Sequence, residues 1–198
     1  MIELNDFFRL ELDMSIKEII EKYNPYDEFE KKDKEEMLYF LSNFEDVLTR
    51  NNVIGHFSAA GFVVNKEKNK MLAVYHKIAD GWTYPGGHAD GDDNLLEVAI
   101  REVYEETGIK GKAVNNVPFM IATLPVYCHV KNNQFISSHL HFDVIYLMEA
   151  DEALPLNLTD DAIFGIKWIS FEDVFNENIC CYIKPIVIKM IDKINNQC

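Results

Sequence analysis

Basic side chains are scarce in this chain: 19 lysines and arginines face 33 aspartates and glutamates, a formal charge of −14 over 198 residues. Such a surplus repels nucleic-acid backbones and anionic membranes, so neither is expected as a partner, and any phosphate substrate must be met through bound cations. Cysteine is sparse as well. Cys128, Cys180, Cys181 and Cys198 form no CxxC pair and make a poor disulfide framework, so a reducing cytoplasm is the expected setting. The opening MIELNDFFRLELDMS lacks a basic start followed by an apolar core, unlike a signal peptide, and no apolar run reaches membrane-spanning length. What is present is 48% hydrophobic, enough for one domain of ordinary size or a domain with a small appendage.

The densest chemistry lies in residues 85–109, PGGHADGDDNLLEVAIREVYEETGI. Asn94 with Glu97 three residues later is a capping-box-like opening, and Gly108 followed by Ile109 is a left-handed stop, which predicts a helix over 95–107. At helical spacing Leu95, Leu96, Ala99, Ile100 and Val103 form one apolar stripe that must face a core. Glu102, Glu105 and Glu106 crowd the neighbouring arc, with Glu106 on the shoulder of the stripe, where a carboxylate loses water. A solvated acidic face is the plain alternative. Gly86 and Gly87 shift the balance, because they let the backbone turn sharply and approach a ligand, leaving carbonyl oxygens beside the carboxylates. Hard oxygen donors of this kind suit Mg²⁺ or Mn²⁺.

This stretch resembles the Nudix box of the MutT-like hydrolases: Gly, five residues, Glu, seven residues, then Arg-Glu-aliphatic-any-Glu-Glu-any-Gly-aliphatic. Gly87, Arg101, Glu102, Val103, Glu105, Glu106, Gly108 and Ile109 fall in register, and one position departs, Asp93 standing where the pattern has Glu. The resemblance covers about residues 57–175. It implies an α/β fold, the Nudix α/β/α sandwich with a mixed β-sheet, and Mg²⁺-dependent (or Mn²⁺-dependent) hydrolysis of a nucleoside diphosphate linked to a moiety X, a small-molecule nucleotide. Carried over by position, Glu102, Glu105 and Glu106 are the metal ligands, helped by a backbone carbonyl of Gly86 or Gly87, and Arg101 orients the cluster. Asp93 is the shorter carboxylate placed to support Arg101 or the metals. The general base comes from the box, where Glu105 stands, or from a later acidic loop. Asp160 and Asp161 lie where such a loop belongs, and Asp161 is the candidate, against a solvated turn.

Other residues carry two readings each. His88 and Asp90 follow the glycines and either touch substrate or complete a turn. His139 and His141 share a strand face as metal ligands, phosphate contacts or cleft wall, the wall being the expected role. Trp82 and Tyr84 stack on a base or fill the core. Among these, Trp82, His88 and His141 are taken as the substrate-binding candidates. Two further activities compete. A regulatory module with a decayed box finds support only in Asp93, and an isopentenyl diphosphate isomerase would need a cysteine in the strand entering the box, which 76–84 does not contain.

Residues 1–52 read as a helical N-terminal extension, with 53–198 as the Nudix domain. Ser15 and Glu18 form a capping box for a helix carrying Ile16, Ile19, Ile20 and Tyr23, ended by Asn24 and Pro25; a second helix is expected over 33–49. Capping the domain, shaping the substrate mouth and forming a homodimer contact all remain open for this segment. Strands are expected over 56–64 and 71–76 as a hairpin, at 82–84, and over 119–130, 139–148 and 165–169, with the polar KNNQ as a turn. Ser170 with Asp173 starts a short helix, and Pro185 opens a last one.

Overall fold

Ser15 starts the first helix as its sequence requires. Its hydroxyl accepts from the Glu18 amide at 3.3 Å, the Glu18 carboxylate accepts from the Ser15 amide at 2.9 Å, and α1 (Ile16–Lys22) buries Ile16 and Ile20. The computed structural model describes residues 14–131, 133–158 and 163–196. α2 (Glu28–Asn43) is opened by Asp27, whose carboxylate accepts from the Glu30 amide at 2.8 Å. It begins and ends earlier than the spacing of its apolar residues predicts. Phe44 leaves the helix in an extended conformation, stacked on Phe40 at 4.7 Å, and Asp46 adopts a positive φ of 54°. Phe44, Val47 and Leu48 still pack on the core, while the Val47 and Leu48 carbonyls accept from the amides of Phe57 and Gly91. The periodicity thus marks a buried face correctly, but tertiary hydrogen bonds replace the last helical turns.

Eight strands form one mixed sheet. β1 (Gly55–Val64), β2 (Lys70–His76), β9 (His139–Glu149), β10 (Ile163–Ser170) and the short β5 (Lys112–Ala113) run in the order β10–β2–β1–β9–β5. β3 (Gly81–Thr83) attaches to β2, β4 (Gly86–His88) to β1, and β6 (Met120–Val126) to β9. The expected β1–β2 hairpin is a fork: the strands pair at Val64↔Met71, then diverge to admit β4 at Ala59↔Gly87 and β3 at Val74↔Thr83. β1 and β9 are parallel from Gly55↔Leu140 to Val64↔Glu149. The strand expected over 119–130 ends at Val126. Beyond it, β7 (His129–Lys131) and β8 (Gln134–Ile136) instead pair as a separate two-stranded sheet, with Asn133 at φ 60° before β8.

Helices cover both faces of the sheet, giving the α/β/α sandwich. α3 (Leu95–Thr107) is capped by the Asn94 side chain and stopped by Gly108 at φ 73°. It packs with α1 and α2 in one core, where Ile20, Met37, Phe40, Leu95 and Val103 meet Phe57, Val63, Val144 and Tyr146. On the other face Val187, Met190 and Ile194 of α4 (Lys184–Asn195) meet Phe62, Met71 and Ile145. β1 is buried along its whole length, as a strand covered on both sides must be. Among the described residues no helix is long and apolar enough to cross a membrane.

Candidate active site

The caps of α3 fix its ends and its buried apolar face fixes its rotation, and with it the two acidic residues that face inward. Glu106 is 5% exposed, and its Oε2 accepts from the Gly86 amide at 3.0 Å. Glu102 comes from one turn earlier and lies directly over Gly87, so closely that a Cβ there would collide with its carboxylate. Gly86 is as tightly seated, since a Cβ would stand 2.5 Å from Ala60 Cβ and 2.8 Å from Ala60 Cα. Neither glycine has positive φ; both lie in a short strand, so close approach and not a sharp turn requires them. Arg101 places Nη2 3.6 Å from Glu102 Oε1 and Nη1 3.4 Å from Asp92 Oδ2. Burial first, and then the charge of Glu105, hold the Glu102 carboxyl above the usual carboxylate range, with Arg101 pulling the other way.

These carboxylates border a cavity of about 500 Å³ that runs across the sheet face toward β7–β8 and α4. Its floor is polar: Ser58 Oγ donates to Asp143 Oδ1 at 3.0 Å and Tyr84 Oη donates to Asp143 Oδ2 at 2.9 Å. Burial pushes the Asp143 carboxyl up to about 6 against those two hydrogen bonds. His56, His88, His139 and His141 form one wall, and Leu124, Phe135 and Ile183 supply apolar surface. Arg50 reaches the rim and is held by Asp90 in a two-pronged pair at 2.9 and 2.7 Å.

The sequence model of the NUDIX domain matches residues 55–181. The chain belongs to the NUDIX family. Nudix hydrolase 6 of Arabidopsis thaliana is 27% identical over 132 residues, 64% of this chain and 43% of that protein. Phosphatase NudJ of Escherichia coli is 27% identical over 136 residues, 61% of this chain and 78% of NudJ. The chain thus spans less than half the length of the Arabidopsis relative and most of the bacterial one. Among solved structures, a NUDIX-family hydrolase from Clostridium perfringens superposes with a TM-score of 0.51 at 24% identity, covering 70% of this chain and 97% of that one. A C. elegans Ap4A hydrolase complex gives 0.52 at 17%, covering 71% and 98%. At these identities the structural likeness speaks for the fold alone.

The Nudix-box residues are brought together unevenly. Glu102 and Glu106 meet the β4 glycines and Arg101 meets Glu102, while Glu105 is exposed on the adjoining helix face. Asp93 is exposed, and the loop carboxylate beside Arg101 is its neighbour Asp92, which also accepts from the Asn94 amide at 3.0 Å. Asp161 and Asp160 lie outside the described residues. His88 and His141 line the cavity, and Trp82 does not. Its ring packs edge-on to Tyr75 at 5.3 Å, above Gly165, with Lys167 Nζ 4.5 Å over its face; a strand aromatic shows its period in the sequence but not which surface it meets. Ser58, Asp143 and His56 were not singled out by the sequence. Their only local signal is a polar residue inside a buried strand, and their meeting depends on the β1–β9 register.

Proposed function

We propose that this Nudix chain hydrolyses the phosphoanhydride of a nucleoside diphosphate linked to a further moiety, using divalent metal ions. The observation that carries the reading is the convergence of Glu102 and Glu106 on Gly86 and Gly87 beside a cavity large enough for a nucleotide. Glu102, Glu105 and Glu106 would hold Mg²⁺ or Mn²⁺, with a carbonyl of Gly86 or Gly87. The donor set fits: it is all hard oxygen, and burial foremost, with the charge of Glu105 added, raises the Glu102 carboxyl against the pull of Arg101. Bound there, such an ion would supply charge neutralisation of the diphosphate and a more acidic water. The chain's own residues orient the parts. Arg101 steadies Glu102, the Gly86 amide steadies Glu106, and the apolar walls shed water around the substrate. Glu105 or Asp161 accepts the proton lost by the attacking water, Asp92 rather than the outward-turned Asp93 braces Arg101 from the loop before the helix, and His88 and His141 face the substrate. The naming of the E. coli relative as a phosphatase supports the same class of reaction.

A panel of nucleoside diphosphate derivatives with Mg²⁺ and Mn²⁺, followed by identification of both products, tests this reading. Metal-dependent cleavage between two phosphorus atoms is expected; an inert panel overturns it. The two glycines should separate structure from turnover. Gly87→Ala pushes on the flexible end of Glu102, so kcat should fall by about 10²-fold with little change in melting temperature. Gly86→Ala meets the Ala60 backbone instead and should cost about 1–3 kcal/mol in a denaturant titration.

A further inference from the structure

His56, His88, His139 and His141 gather from three strands onto one cavity wall. His56 and His141 are register partners across β1 and β9, His139 is two residues earlier on the same face, and His88 pairs opposite Ser58 on β4. The His56 ring centroid lies 5.0, 5.0 and 4.9 Å from those of His88, His139 and His141. Three observations distinguish this cluster from ordinary packed histidines.

The first is the proton placement. His139 Nδ1 is 2.8 Å from the Ser137 carbonyl and His56 Nδ1 is 3.4 Å from the Asn52 carbonyl. A carbonyl only accepts, so in both rings Nδ1 carries the proton and Nε2 presents a lone pair, the arrangement that outer hydrogen bonds impose on metal-ligating histidines. The second is an unmet need. His56 is 4% exposed, yet among the described residues its Nε2 has no hydrogen-bond partner. The third is convergence: one ring nitrogen each from His56, His139 and His141 lies within 4.8 Å of the others, and Nε2 of His139 and His141 are 3.3 Å apart. Donors about 2.0–2.1 Å from a tetrahedral ion stand about 3.4 Å from one another, close to that separation.

We propose that His56, His139 and His141 hold a transition-metal ion of zinc-like preference through three imidazole nitrogens, with the remaining position open to the cavity. Three nitrogens favour such an ion over Mg²⁺, which seeks oxygen, so this site is chemically distinct from the glutamate cluster on the same cavity. The open position suits an anionic oxygen, a phosphate or carboxylate, entering the cavity. The metal site stands on the histidine geometry and does not depend on the hydrolase reading.

The test uses the full, untagged chain, stripped with a chelator and titrated with Zn²⁺, and separately with Co²⁺, in a large excess of Mg²⁺. One Zn²⁺ per chain should be retained, and Co²⁺ should give the visible absorption of a four-coordinate nitrogen site. His139→Asn, at the half-buried rim, and His56→Gln should each weaken Zn²⁺ binding by at least about tenfold, with the metal-free melting temperature of His139→Asn unchanged. Glu106→Gln should leave Zn²⁺ binding within about twofold while lowering turnover, which separates the two sites. Absence of stoichiometric Zn²⁺, retention of it in both histidine variants, or its loss with Glu106→Gln would each overturn the assignment.

Discussion

Glu106→Gln is expected to lower metal-dependent cleavage by at least about 10²–10³-fold, the scale on which removing one electrostatic stabiliser of transition-state charge is felt, with melting temperature nearly unchanged. The two readouts separate because of how Glu106 is held. Its Oε2 accepts from the Gly86 amide at 3.0 Å, and the amide oxygen of Gln can accept that bond in place. What disappears is the negative charge on a side chain 5% exposed, where an ionised carboxylate is costly unless a cation answers it. Glu106→Ala would be a poorer test, since it frees the Gly86 amide and shifts β4 as well. The control is Glu97→Gln, on an exposed position of the same helix, which should leave turnover unaltered. Initial rates of phosphate release across a Mg²⁺ titration distinguish the cases. Turnover by Glu106→Gln at the unaltered rate would remove the metal assignment.

The part of this site written in one contiguous stretch was legible because its determinants are local. Asn94 and Gly108 set the ends of α3, the apolar period sets its rotation, and the rotation brings Glu102 and Glu106 inward without any long-range information. Long-range pairing was not legible. Ser58 meets Asp143 across 85 residues, and His56 meets His141, only because β1 and β9 run parallel in one register, which neither strand encodes by itself. Asp92 beside Arg101, with Asp93 turned outward, reflects the path of an irregular loop whose backbone no periodicity describes. Phe44, Val47 and Leu48 make the same point from the fold: hydrophobic spacing announces burial, while the hydrogen bonds of Val47 and Leu48 to β1 and the box loop decide that the chain is not helical there.

Lys193→Met should destabilise the protein by about 3–5 kcal/mol, the cost of stranding a buried charge and a large share of the ~5–15 kcal/mol typical of a domain. Glu30, on α2, is fully buried, and Lys193, on α4, is 6% exposed. Lys193 Nζ lies 3.6 Å from Glu30 Oε1 and donates to the Tyr23 hydroxyl at 3.1 Å and to the Phe119 carbonyl. Glu30 Oε2 accepts from the Tyr26 amide at 2.8 Å and from the Tyr23 hydroxyl, while among the described residues Oε1 has no hydrogen bond and faces the Lys193 cation. Burial holds the lysine below its ordinary range, with Glu30 opposing the shift, so the ammonium depends on its partner. Removing the cation alone strands the buried Glu30 carboxyl group without its partner between the N-terminal helices and α4. Adding Glu30→Gln removes that carboxyl group yet keeps an acceptor for Tyr26 and Tyr23, so the double variant should recover much of the loss. Denaturant titrations of the two single variants and the double one complete the cycle. A loss within about 1 kcal/mol for Lys193→Met, or strictly additive effects, would show that the pair does not tie the N-terminal helices to the Nudix fold.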